Sequence, residues 1–209
     1  MTPALILQRP SDPKRLILMF HGVGATPQSL ASLGENLAKH FTDTAVISVQ
    51  APDDSDFGEG FQWFSVQGVT EENRLAKIQA TMPRFMDTIR AWQQELSVTA
   101  DNTVLIGFSQ GAIMALSSTQ IHDERMASHV ISLSGRFANT PGTVPLGTKV
   151  HFLHGDQDPV IAHQFAQQAY TALHELGAET TYDLLPNLGH SINQIEVDLI
   201  VNYLQSSDE

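Results

Sequence analysis

VLIGFSQGAIMAL, residues 104–116, sets a serine between two glycines where one apolar run stops and another starts. Val104-Leu105-Ile106 has the short, β-branched character of a buried strand. Ala112-Ile113-Met114-Ala115-Leu116 is built mostly of good helix formers. The two can be joined in so few residues only by a tight turn, and side chains at 107 and 111 would crowd it. Gly107-Phe108-Ser109-Gln110-Gly111 fits G-x-S-x-G, and between a strand and a helix that pattern lifts the serine hydroxyl to the carboxyl edge of a sheet. The plainer reading is a glycine-rich turn with an incidental serine. The rest of the chain has to choose between them.

Outward from this point, short apolar runs recur at Ala4–Leu7, Leu16–Phe20, Ala45–Val49, Val130–Leu133 and Val150–Leu153, with a weaker one at Thr180–Leu185. Most are continuous rather than alternating, as in strands buried on both faces. Helical patterns lie between them. In Glu71–Leu96 the positions Leu75, Ile78, Met82, Phe85, Ile89, Trp92 and Leu96 step by threes and fours along one stripe. Thr70 reads as its N-cap, and Pro83 should kink or divide it. Further helices are expected from Ser109 or Gln110 to about Gln120, over Ala162–Leu176 with Gly177 as the stop, and over Asn193–Leu204. Ala51–Gly60 reads as a loop. Strands alternating with helices imply crossover connections and a mostly parallel sheet.

The 209 residues suit one domain, 1–209, with no internal repeat or linker. Net charge is -12, from 23 acids against 11 Lys and Arg, so a polyanion would be repelled and nucleic acid is not an expected partner. The longest apolar run is about five residues, which argues against membrane insertion. There is no cysteine, which excludes disulfides, thiolate metal sites and a cysteine nucleophile, and fits a cytoplasmic protein.

A serine nucleophile needs a base, and the base an orienting acid. Behind a G-x-S-x-G serine the acid and then the histidine follow in chain order. Asp158, in His154-Gly155-Asp156-Gln157-Asp158-Pro159-Val160, lies deep enough in a loop after a strand to be that acid. Asp156, next to Gly155, is better suited to holding the turn. Of the histidines beyond it, His163 and His174 fall in a helical pattern, whereas His190 sits in Gly189-His190-Ser191 between the last strand and the last helix. His151, His154, Asp156 and Asp158 could be read as a metal cluster, but residues three apart on a strand face opposite ways. An oxyanion hole would take one N–H from Gln110 and another from the loop His21-Gly22-Val23-Gly24, with Val23 as donor. This chemistry calls for neither metal nor cofactor.

Ser109, Asp158 and His190, together with HGVG, GFSQGA, LSG at 133–135, HGDQDPV and LGHSI, resemble the phospholipase/carboxylesterase family, over nearly the whole chain. The resemblance implies an α/β-hydrolase fold with about seven strands, helices on both faces and no cap domain. It implies a serine esterase for short-chain carboxylic esters, with Ser109, Asp158 and His190 as triad and Val23 and Gln110 as oxyanion donors. The same family includes acyl-protein thioesterases and lysophospholipases, and a non-catalytic binding scaffold is the reading from another class. One departure follows Val160, where many members carry a proline and this chain has Ile161-Ala162. The expected partner is a small-molecule ester. Its pocket would be shaped by Ala51–Phe64, by residues after Gly135 and by the turn at Pro159, with Trp63 and Phe64 as substrate contacts. Nothing in the sequence speaks to oligomeric state.

Overall fold

Residues 3–121 and 124–206 are described by a computed structural model. Each apolar run forms a strand: β1 (Ala4–Gln8), β2 (Arg15–Phe20), β3 (Thr44–Val49), β6 (Thr103–Phe108), β7 (His129–Leu133), β8 (Lys149–Gly155) and β9 (Thr180–Leu185). They make one seven-stranded sheet in the order β1-β3-β2-β6-β7-β8-β9, parallel except for β1 on β3. The short strand β4 (Asp53–Asp54), inside the stretch expected to be a loop, pairs with β5 (Phe61–Gln62) just beyond it.

The central strands are buried on both faces because two helical layers cover them, while the edge strands β1 and β9 are only partly buried. Along β2, Leu16, Leu18 and Phe20 face α2 (Arg74–Leu96), α3 (Gln110–Ser118) and α4 (Gln164–Glu175). Ile17 and Met19 face α1 (Ala31–His40) and α5 (Gln194–Gln205). The α/β-hydrolase reading holds, with helices on both faces and no cap domain evident.

Four local expectations need correction. The first helix was not foreseen at all. The long helix α2 starts at Arg74, not after Thr70; its N-cap is Asn73, whose N–H donates to Thr70 Oγ1 while Thr70 N–H donates to Asn73 Oδ1. The helix also runs through Pro83 without a break. Pro83 lies on its exposed side, where water can serve the carbonyl left without a donor, while Met82, Phe85 and Met86 pack beneath. Leu75, counted in the apolar stripe, is 37% exposed in the first turn.

Candidate active site

The turn from β6 into α3 answers the question that its sequence poses. Ser109 has φ 53° and ψ -116°, a conformation that costs a residue with a side chain and is kept only where the surroundings enforce it. The two glycines enforce it separately. A Cβ at Gly107 would lie 2.4 Å from Ala112 N, and one at Gly111 would lie 2.0 Å from the Phe20 carbonyl on the neighbouring strand. They therefore collide with backbone across the turn rather than with each other.

The serine meets two loops from further along the carboxyl edge. Ser109 Oγ–H donates to His190 Nε2 at 3.0 Å, and His190 Nδ1–H donates to Asp158 Oδ2 at 2.7 Å. A carboxylate only accepts, so Asp158 fixes the proton on Nδ1 and leaves Nε2 basic towards the serine. The Asp158 side chain is fully buried and His190 is 17% exposed. Burial opposes ionisation of Asp158. The bonds from His190 and from the Ile161 and Val160 N–H groups outweigh it, and the carboxyl lies below its usual range. Ile161, at the departure from the family pattern, thus helps hold the acid. Asp156 accepts the Asn187 N–H at 2.7 Å, so it ties its loop to the one carrying His190 rather than bracing only its own turn.

One participant was seen in sequence only as a poor metal ligand. His154 is completely buried; its Nε2–H donates to the Ile161 carbonyl at 2.8 Å and lies 3.3 Å from Asp158 Oδ2. Its Nδ1 is buried without a partner. Burial holds this imidazole below its ordinary pKa, against the pull of the Ile161 bond and the Asp158 charge. It is therefore neutral, a dipole against the carboxylate and not a second cation competing with His190. His151 points the other way, to His129 and Thr181, as the strand period requires. His163 caps α4 and bonds the Tyr182 hydroxyl, and His174 stacks on Tyr170.

Above the serine, Ala25 N–H closes a turn on the Gly22 carbonyl, with Gly24 at φ 74°, and Val23 stands at its crest on the cavity wall. Gly22 packs against Ser109, its notional Cβ only 3.3 Å from the serine's. His21 braces this turn from below as a neutral ring: Nδ1–H donates to the Gly22 carbonyl and Nε2 accepts the Ala51 N–H. Burial lowers its pKa, although the Gly22 bond opposes that. Gln110 opens α3, where a backbone N–H has no helical acceptor.

The cavity beside Ser109 measures about 590 Å³. It runs from Val23 and His190 between α1, at Leu33 and Asn36, and the start of α5, at Asn193 and Gln194. Trp63 and Phe64, expected on its wall, are not there. They are 1% and 3% exposed and belong to the core, Trp63 edge-on to Phe20 and Phe85 with its Nε1–H on the His21 carbonyl. Of the three loops expected to shape the pocket, only the turn after Pro159 contributes, through Val160. No helix among the described residues is long and apolar enough to cross a membrane.

The family model for phospholipase/carboxylesterase matches residues 2–207. The chain belongs to that family. Membership makes it a carboxylic ester hydrolase. This hydrolase is 42% identical over 201 residues to esterase YpfH of Escherichia coli strain K12, covering 96% of this chain and 86% of that protein. It is 26% identical to acyl-protein thioesterase 1 of Neurospora crassa, covering 97% and 90%. Among solved structures, esterase PE8 superposes with a TM-score of 0.86 at 25% identity over 98% of this chain and 97% of that one. The Bacillus cereus carboxylesterase does so at 0.79 and 19% identity over 99% and 94%, a likeness of fold alone.

Proposed function

We propose that this ester hydrolase is a serine carboxylesterase for short-chain esters, acting through Ser109, His190 and Asp158. The observation that carries the reading is the unbroken relay from Ser109 Oγ to His190 to a fully buried Asp158. His190 takes the Ser109 proton as Oγ attacks the ester carbonyl. The Val23 and Gln110 N–H groups hold the oxyanion. Asp158 holds the imidazolium that forms. The tetrahedral intermediate collapses, His190 passes its proton to the departing alcohol, and water then attacks the acyl-enzyme by the same route. The carboxylic acid leaves and Ser109 regains its proton.

Thioesters are the second reading, favoured by the acyl-protein thioesterase relative that spans 97% of this chain. The test is hydrolysis of p-nitrophenyl esters from acetate to decanoate and of matched thioesters, with Ser109→Ala alongside. Turnover highest at acetate to butyrate and lost in the variant supports the carboxylesterase. A preference for thioesters moves the assignment to the second reading. A folded protein that is inert on every substrate and is not labelled at Ser109 by a fluorophosphonate would be a binding scaffold.

A further inference from the structure

The cavity is the surface that decides what an esterase of this kind accepts, and its walls have a chemical character of their own. In a chain with 34 charged side chains among 209 residues, no Asp, Glu, Lys or Arg among the described residues lines the space around Ser109. Its inner part, at Leu33, Phe108 and Val197, is apolar, and its mouth carries hydroxyl and amide side chains. Several of their donors are already committed to the protein. Asn36 Nδ2 gives to the Ser32 carbonyl at 2.8 Å, Gln194 Nε2 to Asp198 at 2.9 Å, and the Ser29 hydroxyl to the Thr26 carbonyl at 2.8 Å. What these three residues retain is acceptor capacity at Asn36 Oδ1, Gln194 Oε1 and Ser29 Oγ, together with one N–H on each amide, a set that matches hydroxyl groups as donors and as acceptors.

Such a mouth discriminates by what it lacks. An anionic group would find no cation there. The start of α5 is a weak substitute, because Glu196 N–H is taken by Asn193 Oδ1 and Asn193 N–H by Glu196 Oε2, and the Glu196 carboxyl sits in the first turn. A quaternary ammonium would find no carboxylate on the wall and no cage of aromatic faces, Phe108 being the one phenyl ring in the lining. A neutral hydroxyl group can donate to the open acceptors at little desolvation cost. The orientation follows from the reaction. The departing oxygen must sit within reach of His190 Nε2, and the cavity continues from His190 along Ser191 to Gln194, so this arm receives the alcohol.

We infer that the cleft between α1 and α5 selects esters of neutral polyhydroxyl alcohols, the glycerol or sugar class, through Asn36 and Gln194. The inference rests on the proposed esterase reaction. It is tested with four butyrates that share one acyl group: those of glycerol, ethanol, choline and glycerol 3-phosphate. Each kcat/KM is divided by the rate of alkaline hydrolysis of the same ester, which removes the intrinsic difference between alcohols. The glycerol ester is expected to lead the other three by about tenfold, the size of one or two neutral hydrogen bonds. Asn36→Leu and Gln194→Leu should each shrink the glycerol-to-ethanol ratio about threefold or more. Equal rates on all four esters, a charged ester in the lead, or a ratio that neither variant moves would overturn the inference. Hydrolysis of p-nitrophenyl acetate and fluorophosphonate labelling of Ser109 are measured on the same preparation. If both persist while selectivity is absent, only the cleft assignment falls; if neither is seen, the esterase reading falls with it.

Discussion

Gln110 grips the chain at Trp63: its Oε1 accepts the Trp63 N–H at 2.8 Å, and its Nε2 donates to the Phe64 carbonyl at 2.7 Å. One residue thus places its own N–H beside Ser109 and pins the segment packed beneath the site. Gln110→Ala strands a buried donor and a buried acceptor, at about 1–3 kcal/mol each. Thermal unfolding should fall by several degrees, on a scale of roughly 2–4 °C per kcal/mol for a chain of this size. Trp63 fluorescence should change as its anchor loosens. An unchanged melt would mean that the Trp63 segment is held by packing alone.

Ser109 sits at φ 53° between glycines that forbid any wider turn. Ser109→Ala should reduce kcat by on the order of 10^6, as in other serine triads. It keeps the backbone penalty, because alanine still carries a Cβ. Ser109→Gly should be equally inactive yet more stable than Ser109→Ala by about 1 kcal/mol, since glycine tolerates this conformation. Melts of the two inactive variants compare them directly. A less stable glycine variant would show that the turn carries no strain.

The sheet was legible because most of its strands are continuous apolar runs, whereas the helices repeat by threes and fours; β9, with Asp183 inside it at the sheet edge, gave the weaker signal. That Ser109, Asp158 and His190 come together was legible because loops at one sheet edge must converge. Trp63 and Phe64 were misjudged for a physical reason: an aromatic pair near a site reads the same whether it faces the cavity or the core. Only the Gln110 and His21 bonds, between residues distant in sequence, turn it inward. The first helix was missed because Gly34 interrupts its pattern. That glycine is there for packing, since a Cβ would meet Leu7 at 2.2 Å. The cleft wall went unseen with it.

His154 lies against Asp158 and off the cavity wall, so its removal should alter the site's electrostatics more than its shape. His154→Ala frees the Ile161 carbonyl and leaves Asp158 held by the Val160 and Ile161 N–H groups and His190. The expected result is a fall in kcat of about tenfold or more, with KM little changed, and a displaced acid limb of the pH–rate profile. His154→Gln, which keeps an N–H donor, should restore part of the loss. A purely structural role would lower the melt of both variants and leave the pH profile in place.

Acid stability should be limited by a histidine pair far from the site. His129 Nδ1 and His151 Nε2 are 3.0 Å apart, His151 stacks on Tyr203, and both histidines are 5% exposed. Burial lowers His129 to about 4, helped by the Lys149, Arg15 and Arg125 charges. It lowers His151 to about 3, helped by His129 and Lys149. Both groups take protons more readily when unfolded, so their contribution is complete above about pH 6.5 and drains away as pH falls towards those values. The slope reaches about 1.4 kcal/mol per pH unit for each histidine. His21 and His154, also lowered, act in the same direction. Glu196, raised by burial to about 7, acts in the opposite one, since its folded form binds a proton that the unfolded chain releases until about pH 4.5. Urea midpoints should therefore drop between pH 7 and pH 5. Replacing His129 and His151 together with Asn and Gln should flatten the drop without abolishing it, because His21 and His154 still titrate. A wild-type midpoint constant over that range would mean that the pair is already protonated, or solvated, in the folded protein.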